Sequence, residues 1–216
     1  IVDASIISAP RQRMTKEEKE IVKEGKIPET WETNPSKLAQ KDRDARWVMK
    51  YKKAKTKAGE KAVDIAIPYF GYKNNISMDK RYGFIRKFHT TDASRYDGKL
   101  LPQLLDKGNT ASLVWGDTAY RSGENEKLLA DEGFVSKLHC KKPKGKSMPI
   151  RTQRANGKKS KIRAKVEHVF AVQKDKMHLF IRTIGIKRAN VKIGLTNIVY
   201  NMKRLIFWEY RPVVMG

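Results

Sequence analysis

Three acidic residues lie in segments whose patterns predict buried strands or a helix. Asp3 lies inside the apolar run of residues 1–7, and Asp117 ends the run of residues 113–117. Glu167 follows an apolar spacing that is typical of a helix. An ionised carboxylate in or beside a sheet is costly unless it is paired or bound to a metal. The fold must therefore supply partners for these acids, and we expect a divalent-metal site.

The charge balance predicts a polyanionic partner. The 216 residues include 47 Lys and Arg against 23 Asp and Glu, which gives a formal net charge of +24. This excess is larger than solubility requires and is typical of proteins that bind nucleic acid. A basic ribosomal-type protein has a similar composition, so composition alone does not indicate an enzyme. Cys140 is the only cysteine, so no internal disulfide can form, and no Cys/His cluster has zinc spacing.

The length is sufficient for one domain with a real core, and we assign residues 1–216 to it. No apolar run approaches membrane-spanning length, and we expect no signal peptide. The first residue lies in a strand-like run without Met. We therefore expect that the chain is a fragment lacking an N-terminal part.

Local patterns predict an alternation of strands and helices. The expected strands are residues 1–7, a hairpin at 67–91, a strand ending at Asp117 and another at 134–138; the expected helices are 15–24, 100–105, 124–132, the segment around Glu167 and the segment 195–206. Strands separated by helices favour parallel pairing with right-handed crossovers. We therefore predict an α/β fold with a mixed sheet flanked by helices.

Two lysine-rich stretches are the expected DNA-tracking surfaces. Residues 8–66 predict a basic insertion after the first strand, with a mobile loop at 50–61. Residues 141–165 contain eleven Lys or Arg and no acid, and their Pro and Gly residues predict a largely open segment. Cations on phosphates give affinity without sequence information. Trp31 and Trp47 are candidates for stacking on an unpaired base, whereas Trp115 fits a core position better.

The segment around Glu167 also carries cations at helical spacing. Arg163, Glu167 and Lys174 stand at i, i+4 and i+11, on roughly one face of a helix. A carboxylate there can bind a metal while the cations hold phosphates, but a solvated helix with an Arg–Glu pair is equally consistent. His168 points away from this face and is expected to pack or to support a ligand.

Other aspartates are weaker candidates for the first acid. Asp44 is a rival to Asp3, but its polar, loop-like setting favours a surface salt bridge. Asp42, Asp79 and Asp92 each lie among turn or loop residues. We therefore favour Asp3.

The combined motifs resemble a known family. Val2-Asp3-Ala4-Ser5, the run from Trp115 to Tyr120, and Arg163-x3-Glu167-x6-Lys174 resemble the DDE transposases of bacterial insertion sequences. Phe70-Gly71-Tyr72-Lys73, Val166 to Phe170, Arg182 to Gly185 and Asn197-x2-Tyr200-Asn201 are similar to the insertion-sequence-five group in particular. The resemblance covers nearly the whole chain.

This resemblance implies a ribonuclease-H-like catalytic domain that uses a two-metal mechanism. Asp3, Asp117 and Glu167 would form the catalytic triad and bind Mg²⁺, with Mn²⁺ as a substitute. The implied reaction is phosphodiester cleavage at transposon ends and transfer of the freed 3′-OH strand into target DNA. The family's Tyr three positions before the Arg is Ser160 here.

The implied partner is double-stranded DNA, as terminal inverted repeats and as target, bound by a homodimer at the nucleoid in the bacterial cytoplasm. The expected DNA-binding residues are cations: Arg163, Lys174, Lys158, Lys159, Lys161, Arg151 and Arg154. Two alternatives remain open. One is a non-catalytic DNA-binding protein derived from a transposase, and the other is a different ribonuclease-H-like nuclease, such as a resolvase.

Overall fold

The structure is a computed structural model, and it describes residues 1–53, 64–108 and 112–210. The strands are β1 (Val2–Ser8), β2 (Arg46–Lys53), β3 (Asp64–Met78), β4 (Ile85–Asp92), β5 (Leu113–Val114) and β6 (Val135–Ser136). The helices are α1 (Lys16–Lys23), α2 (Glu29–Glu32), α3 (Pro35–Gln40), α4 (Leu101–Leu104), α5 (Gly123–Asp131), α6 (Ile150–Ala171) and α7 (Ile186–Glu209). A 3₁₀ turn, Asp97–Leu100, precedes α4, and a π turn, Val172–Lys176, follows α6.

The main sheet is built around β3, which pairs with β1, β2 and β4. All three pairings are antiparallel, and Asp3 lies opposite Ile76 in the register. The expected hairpin at 67–91 is present as β3 and β4. The expected parallel pairing is limited to β5 and β6 in the described chain. Only ten residues separate β2 from β3 and six separate β3 from β4, fewer than the dozen or so that a parallel crossover needs, so both neighbours pair with β3 in the antiparallel direction. The 15-residue β3 is long enough to pair with β1 as well.

Gly71 allows β1 to pass close to β3. Its φ of +150° lies in the region that favours glycine, and a Cβ there would lie 2.2 Å from the carbonyl oxygen of Ile7. At this point the Ala9 N–H donates to the Phe70 carbonyl at 2.9 Å. The glycine thus lets the end of β1 remain hydrogen-bonded to the middle of β3.

The interval 8–66 contains more regular structure than the sequence predicts. Helix α1 begins at a capping box, in which the Glu18 N–H donates to Thr15 Oγ1 and the Thr15 N–H donates to a Glu18 carboxylate oxygen. Residues 50–53, expected in a mobile loop, belong to β2. The rest of that expected loop, at 54–61, lies outside the described residues.

Helix α6 corrects the expectation of an open segment at 141–165. From Ile150 onward this stretch is helical, and it spans 22 residues with Gly157 in its interior. Lys, Arg, Gln and Ala are strong helix formers, and one interior glycine costs only about 1 kcal/mol. Buried Val166, Val169 and Phe170 then anchor the C-terminal part of the helix in the core.

The long apolar stripe of residues 195–206 favours packing of the last helix on the domain's own sheet, but the structure turns a different side of α7 toward the sheet. The buried side instead contains Ala189, Ile193, Gly194 and Asn197. Asn197 Oδ1 accepts hydrogen bonds from the amides of Asn74 and Gln173, at 2.9 and 2.7 Å. A buried amide requires hydrogen-bond partners, and this orientation gives Asn197 its partners. Small and amide side chains of α7 therefore face the sheet, and the apolar stripe does not.

The core consists of three apolar clusters. One surrounds α4, α5 and β5, one lies between the sheet and the start of α7, and one joins β3 to α6. In the described residues, no helix combines the length and the apolar character needed to cross a membrane.

Candidate functional site

The site forms where β1 meets the end of β5. The Val2 N–H donates to the Trp115 carbonyl at 2.8 Å, which holds the segments before Asp3 and Asp117 side by side. Gly116 makes this approach possible, since a Cβ there would lie 2.8 Å from Leu138 and 3.0 Å from Val2. The two aspartates thus come from different elements to one place.

Arg163 of α6 binds the first of these acids directly. Its Nη2 lies 2.9 Å from Asp3 Oδ2, and only 18% and 14% of the two side chains are exposed. The Ala4 N–H donates to Asp3 Oδ1 at 2.9 Å. Both oxygens of Asp3 therefore have partners in this structure.

The charges of all three acids act on the guanidinium of Arg163. Burial raises the pKa of Asp3, Arg163 lowers it in opposition, and the negative charge of Asp117 raises it further. Burial lowers the pKa of Arg163, but Asp3, Asp117 and Glu167 together raise it above its usual value. Asp3, Asp117 and Glu167 are therefore all close enough to Arg163 to act on it by charge.

Asp117 and Glu167 are more accessible than Asp3. Asp117 is half-buried, and its Oδ1 accepts the Ala119 N–H at 2.8 Å. Glu167 is exposed on α6, one turn beyond Arg163. In this arrangement Asp117 retains free oxygen lone pairs and Glu167 can change rotamer at little cost.

The donor set suits Mg²⁺ chemically, although the acids do not enclose a cation. All three side chains offer oxygen, which Mg²⁺ prefers, and the repulsion between Asp3 and Asp117 is the kind that a divalent cation relieves. Across 1–53, 64–108 and 112–210, however, no group of three or more His, Cys, Asp or Glu is placed to hold a metal. The guanidinium of Arg163 is the cation that neutralises Asp3 in this structure.

The predicted cations of α6 lie mostly in solvent. Arg151, Arg154, Lys158 and Lys161 are exposed, and none forms an ion pair within the described residues. Lys159 is half-buried, and its Nζ donates to the Leu138 carbonyl at 2.7 Å. One side of α6 thus presents charge without internal partners.

Lys174 is not on the helix that carries Arg163 and Glu167. It lies in the π turn Val172–Lys176, which changes the helical register assumed from the sequence. It lines a groove beside Ala4 and Ser5. Although the residue is exposed overall, the groove wall desolvates its ammonium, which lowers the pKa of Lys174 while Asp175 raises it in part.

The tryptophans expected to stack on bases are in or near the core. Trp31 is fully buried and its Nε1 donates to Glu18 at 2.6 Å. Trp47 packs on Phe70 with ring centroids 5.2 Å apart, and Trp115 is 5% exposed. The expectation for Trp115 as a core residue is confirmed, whereas Trp31 has no free face and Trp47 is largely covered.

The rival aspartates have local structural roles. Asp44 Oδ2 accepts the Ile186 N–H at 2.8 Å and so caps α7. Asp42 is buried and accepts the hydroxyl of Tyr72 at 2.6 and 2.8 Å. Asp79 and Asp92 accept N–H groups in their own turns. These contacts account for each acid without a metal.

Two residues near the site were missed by the sequence analysis. The Tyr120 hydroxyl and His139 Nε2 are buried without a hydrogen-bond partner among the described residues. Burial and the charges of Asp3, Asp97 and Asp117 raise the pKa of Tyr120, and burial, Arg163 and Lys159 lower the pKa of His139. Tyr120 stood in the motif that ends the Asp117 run, but no sequence signal distinguished His139.

Comparison with known proteins identifies the family of the chain. Residues 1–202 match the family described as the transposase DDE domain. The chain belongs to that family. It is also 29% identical, over 170 residues, to a transposase for insertion sequence element IS1106 from Neisseria meningitidis serogroup B.

That alignment covers 79% of the chain but 51% of the relative, so the chain spans about half the length of the curated transposase that it matches. No solved structure matches this transposase domain. The resemblance to DDE transposases of insertion sequences, stated from the motifs, is thereby confirmed.

Proposed function

We propose that this domain cuts DNA at transposon ends and transfers the freed 3′-OH strand into target DNA. The observation that carries the proposal is the meeting of Asp3, Asp117 and Arg163 from β1, the end of β5 and α6. These two acids and the arginine come from three separate elements and meet only on folding, and clustered charged groups of this kind are typical of functional sites. Membership of the transposase DDE domain family supports the same reaction.

A ribonuclease-H-like fold is part of this proposal. Support comes from the antiparallel β1, β3 and β4, with the short parallel pair β5–β6 meeting the start of β1. Helix α6 carries the third acid, Glu167, one turn beyond Arg163, which binds Asp3.

Asp3, Asp117 and Glu167 would hold the metal, Mg²⁺ or Mn²⁺, as one or two ions. When bound, it supplies activation of the attacking oxygen and neutralisation of the leaving one. The side chains around it position the DNA. Arg163, once released from Asp3, is placed to hold a non-bridging phosphate oxygen, and the buried wall of Val2, Leu138 and Tyr120 limits access of water from behind.

The exposed cations of α6 would bind the phosphates of the DNA duplex. Arg151, Arg154, Lys158 and Lys161 have no acidic partner in the described residues, so they are free to bind phosphates. We take the partners to be the terminal inverted repeats and the target duplex. A DNA substrate of this kind places the protein at the nucleoid of a bacterial cell.

A homodimer is also proposed, with α7 as the contact. Its exposed side carries an apolar stripe made of Val191, Leu195, Ile198, Val199, Met202, Leu205 and Ile206, each 46–61% exposed. Patches of this kind on a surface mark interaction sites. The stripe has the spacing of a helix-pairing seam.

The test of catalysis is cleavage and joining of end-labelled duplex DNA in Mg²⁺ or Mn²⁺. Asp117→Asn should lower the rate at least about a thousandfold, because several kcal/mol of transition-state stabilisation depend on the metal. DNA affinity should be unchanged or higher, since a negative charge is lost. Asp131→Asn, an exposed acid of α5, is the matched control and should cleave normally.

A non-catalytic DNA-binding protein derived from a transposase is the second candidate. It is favoured by one observation, that Asp3 is already paired with Arg163 and the described acids form no metal cluster. In that case wild type would bind DNA in a salt-sensitive way, give no metal-dependent product, and be indistinguishable from Asp117→Asn.

A further inference from the structure

An open groove of about 590 Å³ lies beside the site, and none of the three acids lines it. Its walls come from β1, β2, β3 and the segment that follows α6. The lining includes three aromatic residues and four lysines: Tyr51, Tyr69, Phe180, Lys50, Lys52, Lys73 and Lys174. Apolar Ile6 and Leu179 complete the wall. Its size falls in the range of about 300–1,000 Å³ that is usual for small-ligand sites.

The groove takes side chains from both faces of the sheet. Residues paired across strands share a side, and side chains two apart along a strand point to the same side. Lys50 lies opposite Ile67 and Ile6 lies opposite Lys73, so these side chains and Tyr69 lie on one face. Tyr51 lies opposite Ala66, and Ser5 lies two residues after Asp3, so both lie on the face that carries Asp3.

The aromatic rings are unusually open for residues of their size. Tyr51 is 67% exposed and Phe180 is 37% exposed, while Tyr69 is half-buried. The tryptophans of this domain, by contrast, are at least partly buried. The groove therefore presents aromatic surface to solvent, which is costly unless a ligand covers it.

The cations of the groove are only partly neutralised. Lys73 Nζ lies 2.7 Å from Asp97 and donates to the Arg95 carbonyl at 2.6 Å. Lys50, Lys52 and Lys174 form no ion pair within the described residues. Three free ammonium groups thus surround an aromatic and apolar floor.

This chemistry matches a nucleotide whose base is not paired. Exposed aromatic rings stack on bases, and flanking lysines bind the phosphates of the same strand. In a duplex the base faces are covered by their neighbours, so a duplex would use the lysines and leave the rings bare. An acidic peptide would likewise bind the lysines and leave the aromatic rings uncovered.

We propose that the groove holds one or two unpaired nucleotides of the DNA strand that lies next to the cleavage site. Ser5 lines the groove and lies two residues after Asp3 on the same face of β1, so this side of the groove begins beside the first acid. The assignment rests on the proposed function for its substrate. Tyr51 and Phe180 stack on the bases, and Lys50, Lys52 and Lys174 hold the phosphates.

The experiment measures binding without metal, so that it is independent of cleavage. The probe is a single-stranded oligonucleotide with a central 2-aminopurine, compared with the same oligonucleotide in a duplex. Fluorescence anisotropy gives affinity, and quenching of 2-aminopurine reports stacking. The variants are Tyr51→Ala and Phe180→Ala, with Tyr210→Ala as the control because Tyr210 is 81% exposed and lies outside the groove. Circular dichroism establishes that each variant folds.

We expect each groove variant to weaken binding of the single strand about tenfold and to reduce the quenching, with duplex binding unchanged. Tyr210→Ala should behave as wild type. Unchanged single-strand affinity in both groove variants would overturn the proposal. So would equal losses for single strand and duplex, which would indicate a general basic surface. Loss of cleavage in Asp117→Asn together with unchanged binding in both groove variants would reject the groove and leave the proposed function intact.

Discussion

Arg163 and a metal ion compete for the same carboxylate. In this structure the guanidinium lies 2.9 Å from Asp3, within reach of the charges of Asp117 and Glu167. Under the proposed metal site, a divalent cation would compete with Arg163 for Asp3, because the two cations repel each other and bind the same carboxylate. Arg163 is then an internal counter-ion, and its release would be coupled to metal binding.

Substitution of Arg163 tests this competition. Arg163→Gln should bind Mn²⁺ at least about tenfold more tightly, since a hydrogen bond to a charged group contributes roughly 1.5–3 kcal/mol. Isothermal titration calorimetry at neutral pH measures the affinity. Lys165→Gln is the control, because Lys165 is exposed on the same helix and its Nζ donates to the Lys80 carbonyl. Unchanged or weaker Mn²⁺ binding by Arg163→Gln would contradict the competition.

His139 makes stability depend on pH. Burial, Arg163 and Lys159 lower the pKa of this imidazole from the usual value of 6.5. The unfolded chain therefore takes up a proton at a pH where the folded chain does not. Between these two pKa values the unfolded state binds more protons, so stability falls as pH falls below about 6.5.

Urea denaturation at pH 7.5 and at pH 5.5 measures this effect. His139→Asn should lose less stability between the two values than wild type does, since it removes the group that titrates. His168→Gln, at an exposed position of α6, should retain the wild-type difference. An identical difference in His139→Asn and wild type would show that other groups cause the pH dependence.

At the scale of the elements, β3 determines the architecture, and Gly71 is its most constrained position. Gly71→Ala should destabilise the domain by roughly 3–5 kcal/mol, because its Cβ would meet the backbone oxygen of Ile7 and the φ disfavours alanine. Gly123→Ala is the matched control. A Cβ there meets no atom within 4 Å, so its stability should stay within about 1 kcal/mol of wild type. Equal stability of the two variants by urea denaturation would refute the constraint.

Elements with local signals were predicted well from the sequence. The hairpin of β3 and β4 has a turn with Asp79 and Gly83, and α1 begins at the Thr15–Glu18 capping box. Helix α6 was missed over its first half because Gly157 and the lack of an apolar stripe resemble a loop. Its folding depends on anchoring by Val166 and Val169, which no local pattern shows.

The candidate site was predictable as a set of residues but not as a geometry. The motifs indicated Asp3, Asp117 and Arg163, and the structure brings these three together. Their catalytic role remains a prediction. The ion pair between Asp3 and Arg163 depends on burial, which follows from the packing of α6 on β1. The groove was invisible in the sequence because its lysines and rings come from four separate segments.

At the scale of the whole molecule, the exposed apolar stripe of α7 is the surface that a second molecule is most expected to cover. The helix has 24 residues and is about 36 Å long. Val191, Leu195, Ile198, Met202 and Leu205 are spaced alternately by four and three residues, which is the spacing of helices that pair along a seam. A second copy of the chain fits this surface, because a two-fold axis between Ile198 and Val199 pairs Val191 with Ile206 and Leu195 with Met202, all of them exposed apolar residues.

A two-fold pair of α7 helices would bring together oppositely charged side chains as well as apolar ones. For two antiparallel α7 helices with a two-fold axis between Ile198 and Val199, Leu195 meets the partner's Met202 and Arg188 meets the partner's Glu209. Arg188 and Glu209 are both exposed, and neither forms an ion pair within the described chain. A two-fold contact requires such self-complementarity.

Substitutions in α7 should therefore change the oligomeric state, measured by light scattering after gel filtration. Leu195→Glu should convert the dimer to a monomer, because it buries a charge in the middle of the seam. Asn190→Glu adds the same charge beside the seam and should remain dimeric. Arg188→Glu should weaken the dimer, and adding Glu209→Arg should restore it, since the exchanged charges meet again only in the antiparallel arrangement. A monomeric wild type, or a double variant weaker than Arg188→Glu, would exclude this dimer and leave the stripe to a different partner.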